Sequence, residues 1–303
     1  MPSTFTGATT DYVQFGGGAF PSSSEICFSA GCGGSFIPTV YGPNVSGPTG
    51  TGILTNVWCV DYQLDVTSGS TYEANIATLN AIGTPTDPNV RYGNLDSVDP
   101  TGAAPGGWAN SLTAPAGIDS NSAAYRYTLT AALVSQYVDS TSTPNPTNLQ
   151  GGSLVNRAIQ EAIWYITYNS DYETNATWAT IAPGDIGPAT CGAGETVSSA
   201  GGNTNYACWV KYAEGNVQNV NTSAWAVISA PAEPNGTLDG PADLFGNPAY
   251  PAYQTFLVQV DSNGIITHEN PTPEPVYFGL TLALAGVIVF TRIRQARKQS
   301  SEA

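Results

Sequence analysis

A run of 16 uncharged, mostly apolar residues at 276–291 constrains this chain more than any other feature. As a helix with 1.5 Å rise per residue it extends about 24 Å, which with flanking residues suffices for a hydrocarbon layer of about 30 Å. Four basic residues follow it: Arg292, Arg294, Arg297 and Lys298. Because basic residues stay on the cytoplasmic side, the pattern predicts a transmembrane segment at 276–291 and a basic cytoplasmic tail at 292–303. It disfavours the alternative, a buried core helix.

The motif Pro273-Glu274-Pro275 stands directly before the apolar run. Motif, apolar run and basic tail together resemble the PEP-CTERM sorting signal, which exosortase-type proteases read in Gram-negative bacteria that make extracellular polysaccharide. The resemblance covers about residues 271–299. It implies transient anchoring in the inner membrane, cleavage near the motif, and a final location at the cell surface or in the extracellular matrix. We therefore expect an extracellular region at 1–262 and a spacer with the motif at 263–275.

Export also requires a signal at the N-terminus. The first 18 residues, MPSTFTGATTDYVQFGGG, have neither a basic start nor an apolar run of the usual length. We expect that the sequence begins after the signal or that its start is misassigned.

The inventory of charged and reactive side chains excludes several classes of function. Residues 1–273 hold 21 acidic and 4 basic residues, a net charge of −17 that repels nucleic-acid phosphates. The single histidine, His268, lies in a polar stretch, which excludes Ser-His-Asp and Cys-His catalysis. The sequence has neither a Cys-x-x-Cys zinc spacing nor a glycine-rich phosphate loop. We therefore expect no metal, no cofactor and no turnover enzyme.

Composition and periodicity predict an α+β fold with a β-rich body and a few helices. The 33 glycines, 22 prolines and 10% charged residues are typical of loop-rich extracellular proteins. Apolar residues on one face predict a helix at 153–168 with Ser153 as its N-cap, and the alanine-rich 123–137 is also typical of a helix. A strand is predicted at 253–260, with a turn at 261–264. Elsewhere beyond residue 169, apolar residues follow no clear helical or strand periodicity.

Five cysteines, an odd number, leave one thiol over in an exported chain. Cys27 and Cys32 are close enough in sequence to form a disulfide that closes a short loop. Cys191 and Cys208 enclose a stretch rich in Gly, Ser and Asn, and closing it would contribute roughly 3 kcal/mol to stability. This local pairing leaves Cys59, which lies in a strand predicted within residues 53–64, where a thiol usually packs in the core. Other pairings remain open at this point.

Two short motifs give Cys59 a different interpretation. Trp58-Cys59-Val60 lies in the predicted strand, and Ile159-Gln160-Glu161-Ala162-Ile163-Trp164 lies on the predicted helix. Together they resemble the two signatures of bacterial Cys-Gln thioester domains, over about residues 53–168. The resemblance implies a thioester-domain-like body in which the Cys59 thiolate displaces ammonia from the Gln160 side chain. Three aromatic side chains would shield this bond or pack around it: Trp58, Trp164 and Tyr62.

The resemblance implies an adhesin-like surface or matrix protein that attaches covalently to amine-bearing partners. Attack by an amine would give a stable amide and release the thiol, which is capture in a single turnover. Two other functions stay open. One is a structural matrix or filament component with a buried Cys59 and an inert Gln160. The other is a carbohydrate-binding surface protein, suggested by 16 tyrosines and 6 tryptophans.

Overall fold

The computed structural model assigns the chain to two units, Met1–Thr267 and His268–Ala303. All residues that the structure describes belong to the first unit: 11–16, 24–28, 31–45, 52–60, 71–84, 90, 110–167, 190–192, 195, 197, 203–229 and 255–267. Within these ranges, no helix is both long enough and apolar enough to cross a membrane.

Several predicted features lie outside the described residues and stay predictions. They are Tyr62, the motif at 273–275, the apolar run at 276–291 and the basic tail at 292–303.

Nine strands of the described chain form one antiparallel sheet. They are β1 (Asp11–Gln14), β2 (Glu25–Phe28), β3 (Gly31–Phe36), β4 (Thr39–Tyr41), β5 (Ile53–Leu54), β6 (Val57–Cys59), β7 (Thr71–Thr78), β8 (Trp225–Ser229) and β9 (Phe256–Gln259). Their spatial order is β2-β3-β6-β9-β8-β7-β1-β4-β5. The two strands from late in the sequence, β8 and β9, lie between β6 and β7. Strand β6, which carries Cys59, is therefore an inner strand of the sheet.

In the part of the chain that the structure describes, three helices pack against one another: α1 (Ala123–Val134), α2 (Leu154–Thr167) and α3 (Tyr206–Asn216). Helix α2 also contacts β2 and β3. The predicted helix at 153–168 is confirmed, and the Ser153 hydroxyl accepts a hydrogen bond from the Asn156 N–H at its start. The predicted helix at 123–137 is confirmed as α1, which ends three residues earlier than expected. Helix α3 was not predicted.

The C-terminal strand and turn of the body are confirmed. Strand β9 falls within the predicted range, and Gly264 in the following turn has a positive φ of 75°. Beyond the turn, Ile266 is fully buried and its N–H donates to the Asn44 carbonyl at 2.8 Å. Ile266, which we expected in the spacer at 263–275, thus packs against the body.

The structure confirms the α+β class: a large sheet with a few helices around one hydrophobic core. It also contains both local disulfides, Cys27–Cys32 and Cys191–Cys208. The first joins directly opposite residues of β2 and β3, so it links two paired strands. The second connects a preceding loop residue to helix α3.

Candidate functional site

Cys59 is the last residue of β6 and is fully buried. It takes part in neither disulfide. The hydroxyl of Thr167, at the end of α2, donates to the carbonyl of Val60, the residue that follows Cys59. This bond fixes the end of α2 beside the strand segment that carries the thiol.

Gln160 lies in the middle of α2 and is also fully buried. Its Nε2 donates to the backbone carbonyl of Cys59 at 3.1 Å. Trp164, one helical turn later, donates from Nε1 to Cys59 Sγ at 3.5 Å. Residues four apart share one side of a helix, so Gln160 and Trp164 reach the same strand residue. The structure thus brings together the cysteine, the glutamine and one of the aromatic residues that the motifs singled out.

The carbonyl oxygen of the Gln160 side chain has two donors. The backbone N–H of Gly34 and the hydroxyl of Tyr137 each donate to Oε1 at 2.7 Å. Gly34 lies on β3, and Tyr137 follows the end of α1. The amide is therefore held from three sides: by β3, by β6 and by the segment after α1.

Two glycines make this approach possible. A Cβ on Gly33 would lie 2.6 Å from Gln160 Cδ and 2.8 Å from the Trp164 ring, closer than real Cβ contacts come. Gly34 has a φ of 97°, and a Cβ there would lie 2.4 Å from the Ser24 carbonyl oxygen. The backbone of β3 therefore packs directly on the amide carbon of Gln160, which only glycine permits.

The hairpin of β2 and β3 covers the site from the side of β3. The Phe28 ring lies 5.0 Å from the Trp164 ring, and the Arg157 guanidinium carbon lies 5.0 Å from the centroid of the Phe28 ring. The Cys27–Cys32 disulfide crosses the same hairpin immediately before Gly33. The cover over Trp164 and the donor from Gly34 thus belong to one disulfide-linked unit.

Burial sets the protonation state of Tyr137. The side chain is fully buried, which disfavours the phenolate and raises the pKa of Tyr137 well above its ordinary value of 10.0. The proximity of Cys59 raises this pKa further. Tyr137 is therefore a neutral hydrogen-bond donor to Gln160 at physiological pH.

Trp58, the other described aromatic residue predicted near the site, packs elsewhere. Successive residues of a strand point to opposite faces, so Trp58 faces away from the Cys59 side chain. Its Nε1 donates to the Pro146 carbonyl at 3.0 Å, and its ring lies 5.4 Å from that of Trp225. Trp58 thus contributes packing on the opposite face of β6.

Two clusters of potential metal-binding side chains occur in the described part of the chain. Glu25 lies near Cys27 and Cys32, and Glu195 lies near Cys191 and Cys208. In both clusters the two sulfurs are joined in a disulfide, so they are not thiolate ligands.

Sequence reasoning missed Gly33, Gly34 and Tyr137. The adjacent glycines carry a usable signal, because glycine inside a strand often marks a close approach of another group. Tyr137 carries no local signal, since its role depends on the meeting of α1 and α2. The chain has no significant match among protein-family models, curated proteins or solved structures.

Proposed function

We propose that this protein captures amine-bearing partners covalently through an internal thioester between Cys59 and Gln160. One observation carries the proposal: the Gln160 amide nitrogen lies 3.1 Å from the Cys59 carbonyl oxygen, and the neighbouring Trp164 donates to Cys59 Sγ. A thiol and a carboxamide are thereby held side by side in the core. Such positioning replaces a collision in solution with an intramolecular step.

Formation of the bond is an acyl transfer without any change in oxidation state. Cys59 Sγ attacks Gln160 Cδ, the Cδ–Nε2 bond breaks, and the amide nitrogen leaves with the thiol proton as ammonia. The Trp164 indole N–H donates to the sulfur, which holds the sulfur against the side of α2 that carries Gln160. The product stores an acyl donor within the fold.

Capture reverses the exchange with a different nitrogen. A primary amine attacks Gln160 Cδ, the Cδ–S bond breaks, and one amine proton ends on Cys59 Sγ. The partner is then joined to α2 by a stable amide. Because the thiol is not converted back to a thioester, each molecule reacts once, and the protein acts as a covalent adhesin rather than an enzyme.

Burial supports storage of the reactive bond. Cys59, Gln160 and Tyr137 are fully buried, and Trp164 is 1% exposed. Water is a competing nucleophile that would hydrolyse the thioester, so its exclusion prolongs the lifetime of this bond.

We place this activity on an exported protein of the cell surface or extracellular matrix. The two disulfides fit an oxidising compartment. The C-terminal resemblance to a PEP-CTERM signal supports a transient stay in the inner membrane and processing by an exosortase-type protease. The amine-bearing ligand would belong to the matrix or to another surface.

A carbohydrate-binding function has less support from the described tryptophans. Trp58, Trp164, Trp209 and Trp225 are all buried, and the most exposed of them reaches 7%. None of these four offers a ring face for a sugar to stack on. A purely structural role predicts the same burial of Cys59, so chemistry must distinguish it from capture.

Intact mass of the purified protein tests the proposal. Wild-type protein is expected to be lighter than its disulfide-bonded sequence by one ammonia, and methylamine is expected to add one methylamine to this form. Cys59→Ala and Gln160→Ala should show neither change. Gln136→Ala, a change at a half-buried glutamine after α1, is the matched control and should behave as wild type.

A wild-type mass without the loss of ammonia would refute capture and leave the structural and carbohydrate-binding alternatives. A loss that persists in Cys59→Ala would assign the ammonia to another side chain. The mass of the exported form also shows whether the chain ends near Pro273, which tests the sorting signal separately.

A further inference from the structure

We propose that Tyr137 and the Gly34 N–H form the oxyanion site of the thioester, with Tyr137 as a catalytic residue. This inference rests on the proposed function and adds a residue to its chemistry. The same site would serve both steps, because formation and capture each pass through a tetrahedral centre at Gln160 Cδ.

The two donors already contact the atom that receives the charge. Tyr137 and Gly34 each lie 2.7 Å from Gln160 Oε1. When Cys59 Sγ attacks Cδ, the C–O double bond becomes a single bond and its electron pair moves to Oε1. Collapse of this intermediate restores the carbonyl and breaks the Cδ–Nε2 bond, and the nitrogen leaves as ammonia with the thiol proton. Donors at about 2.7–3.1 Å from a developing oxyanion stabilise it most strongly in a buried site.

The attack of an amine on the thioester runs through an equivalent intermediate. The amine nitrogen bonds to Cδ, negative charge again develops on Oε1, and collapse breaks the Cδ–S bond. A donor pair fixed on the oxygen therefore accelerates capture without itself being consumed. Neither donor exchanges atoms with the partner.

Asn156 fixes Tyr137 relative to Gln160. Its Oδ1 accepts from the Val138 N–H at 2.8 Å, and its Nδ2 donates to the Val138 carbonyl at 2.7 Å. Asn156 is fully buried on α2, one turn before Gln160. The residue next to Tyr137 is thus bound through both backbone groups to the helix that carries the acyl carbon. Asn156 is a positioning residue, and the donor needs no reorganisation during the reaction.

The second donor, the Gly34 N–H, is also fixed by contacts of the backbone around it. Gly34 is paired with β2 opposite Glu25, and the Cys27–Cys32 disulfide closes the hairpin nearby. The Tyr137 phenol stays protonated because burial disfavours its anion. Both donors therefore carry their hydrogen throughout the physiological pH range.

The test compares Tyr137→Phe with Tyr125→Phe. Tyr125 is a buried tyrosine on α1 whose hydroxyl donates to the Thr113 carbonyl at 2.6 Å, so its variant loses a similar bond to a residue outside the site. We expect Tyr137→Phe to slow both ammonia loss and methylamine addition by about 10²- to 10³-fold, as loss of one oxyanion donor does. Tyr125→Phe should stay within about twofold of wild type. Time-resolved intact mass gives both rates, and circular dichroism verifies folding.

Infrared spectroscopy of the acyl carbonyl provides a second readout. With glutamine labelled by ¹³C at Cδ, the wild-type thioester carbonyl is expected to absorb at lower frequency than an alkyl thioester in an apolar solvent, because two hydrogen bonds weaken its double bond. In Tyr137→Phe the band should rise, and in Tyr125→Phe it should not move. A purely structural role of Tyr137 would not shift this band, and the wild-type band can be measured even if the variant fails to fold.

The outcomes separate this inference from the proposed function. If wild-type protein forms the thioester and Tyr137→Phe forms it at the same rate, or the wild-type band shows no hydrogen bonding, the oxyanion site is refuted and capture stands. If wild-type protein never loses ammonia, the proposed function and this inference fall together.

Discussion

The two disulfides stabilise different parts of the molecule: one links the β2–β3 hairpin beside Gln160, and the other links the segment before α3 to that helix. Cys27–Cys32 closes a loop with a sequence separation of 5 and precedes the two glycines that touch Gln160. Cys191–Cys208 closes a separation of 17 and holds the segment before α3. Loop-closure entropy assigns about 2 kcal/mol to the shorter loop and about 3 kcal/mol to the longer one. The link that contributes less to stability is the one beside the Gln160 carbonyl.

This difference separates fold stability from site geometry. The surroundings of the second disulfide are polar and partly exposed: Glu195, Asn205 and Lys211 approach it. The first disulfide is itself exposed at Cys27 and half-buried at Cys32, but the buried glycines that follow it, Gly33 and Gly34, touch the amide directly. Changes near the first disulfide should therefore alter chemistry more than stability, and changes near the second should do the opposite.

The largest expected effect comes from Gly33→Ala. Its new methyl group would have to occupy space now filled by Gln160 Cδ and the Trp164 ring, so we expect the loss of ammonia to be abolished. Gly192→Ala, next to the second disulfide, is the matched control, because the nearest atoms to its Cβ would belong to the Glu195 side chain, at 3.2 Å and beyond. Intact mass of both variants checks this prediction. Thioester formation at the wild-type rate in Gly33→Ala would contradict the proposed contact between the β2–β3 hairpin and the Gln160 amide.

Removal of each disulfide is the direct form of the comparison. In Cys27→Ser/Cys32→Ser the hairpin loses its link, and displacement of the Gly34 donor should slow thioester formation roughly 10- to 100-fold. In Cys191→Ser/Cys208→Ser we expect a rate within about twofold of wild type but a loss of about 3 kcal/mol in the free energy of unfolding. Timed mass spectra and urea denaturation measure the two quantities. Equal effects of both double variants on the rate would show that the disulfides act through global stability.

The smallest expected effect is a difference in alkaline stability between Tyr137 and Tyr212. Burial raises the pKa of Tyr137, which is fully buried, and that of Tyr212, which is half-buried on α3. Because the folded pKa lies above the unfolded value of 10.0, ionisation above this pH favours the unfolded state, and stability falls as pH rises. This loss is at most about 1.4 kcal/mol per pH unit for one group.

Tyr137→Phe should remove more of the alkaline loss than Tyr212→Phe. Urea denaturation at about pH 9 and about pH 11 gives the difference for each variant, and the change between the two pH values cancels the lost hydrogen bond. A larger recovery in Tyr212→Phe would contradict the assignment of the more buried phenol to the site.

The segments with strong local patterns were predictable. Helix α2 has an apolar face along its whole length, and this periodicity predicted the helix, whereas Gln160 and Trp164 were singled out by the motif resemblance. The disulfides followed from short separations. By contrast, β8 is buried at every position, so it has no alternation of polar and apolar residues to reveal it. Strand β4 has only three residues, too few for a periodic signal, whereas β5 and β6 lie within the strand that the sequence predicted around Cys59.

The sequence by itself determined the two candidates for the proposed chemistry: one cysteine outside the local pairs and one glutamine on an amphipathic helix. Only the tertiary structure decided that Gly34 and Tyr137 meet at the Gln160 carbonyl, because the residues in these bonds are 126 and 23 positions apart. Local periodicity reports which face of an element is buried, whereas the partner across the core depends on how the elements pack. The donors to the Gln160 carbonyl therefore depend on how the elements pack and not on local periodicity.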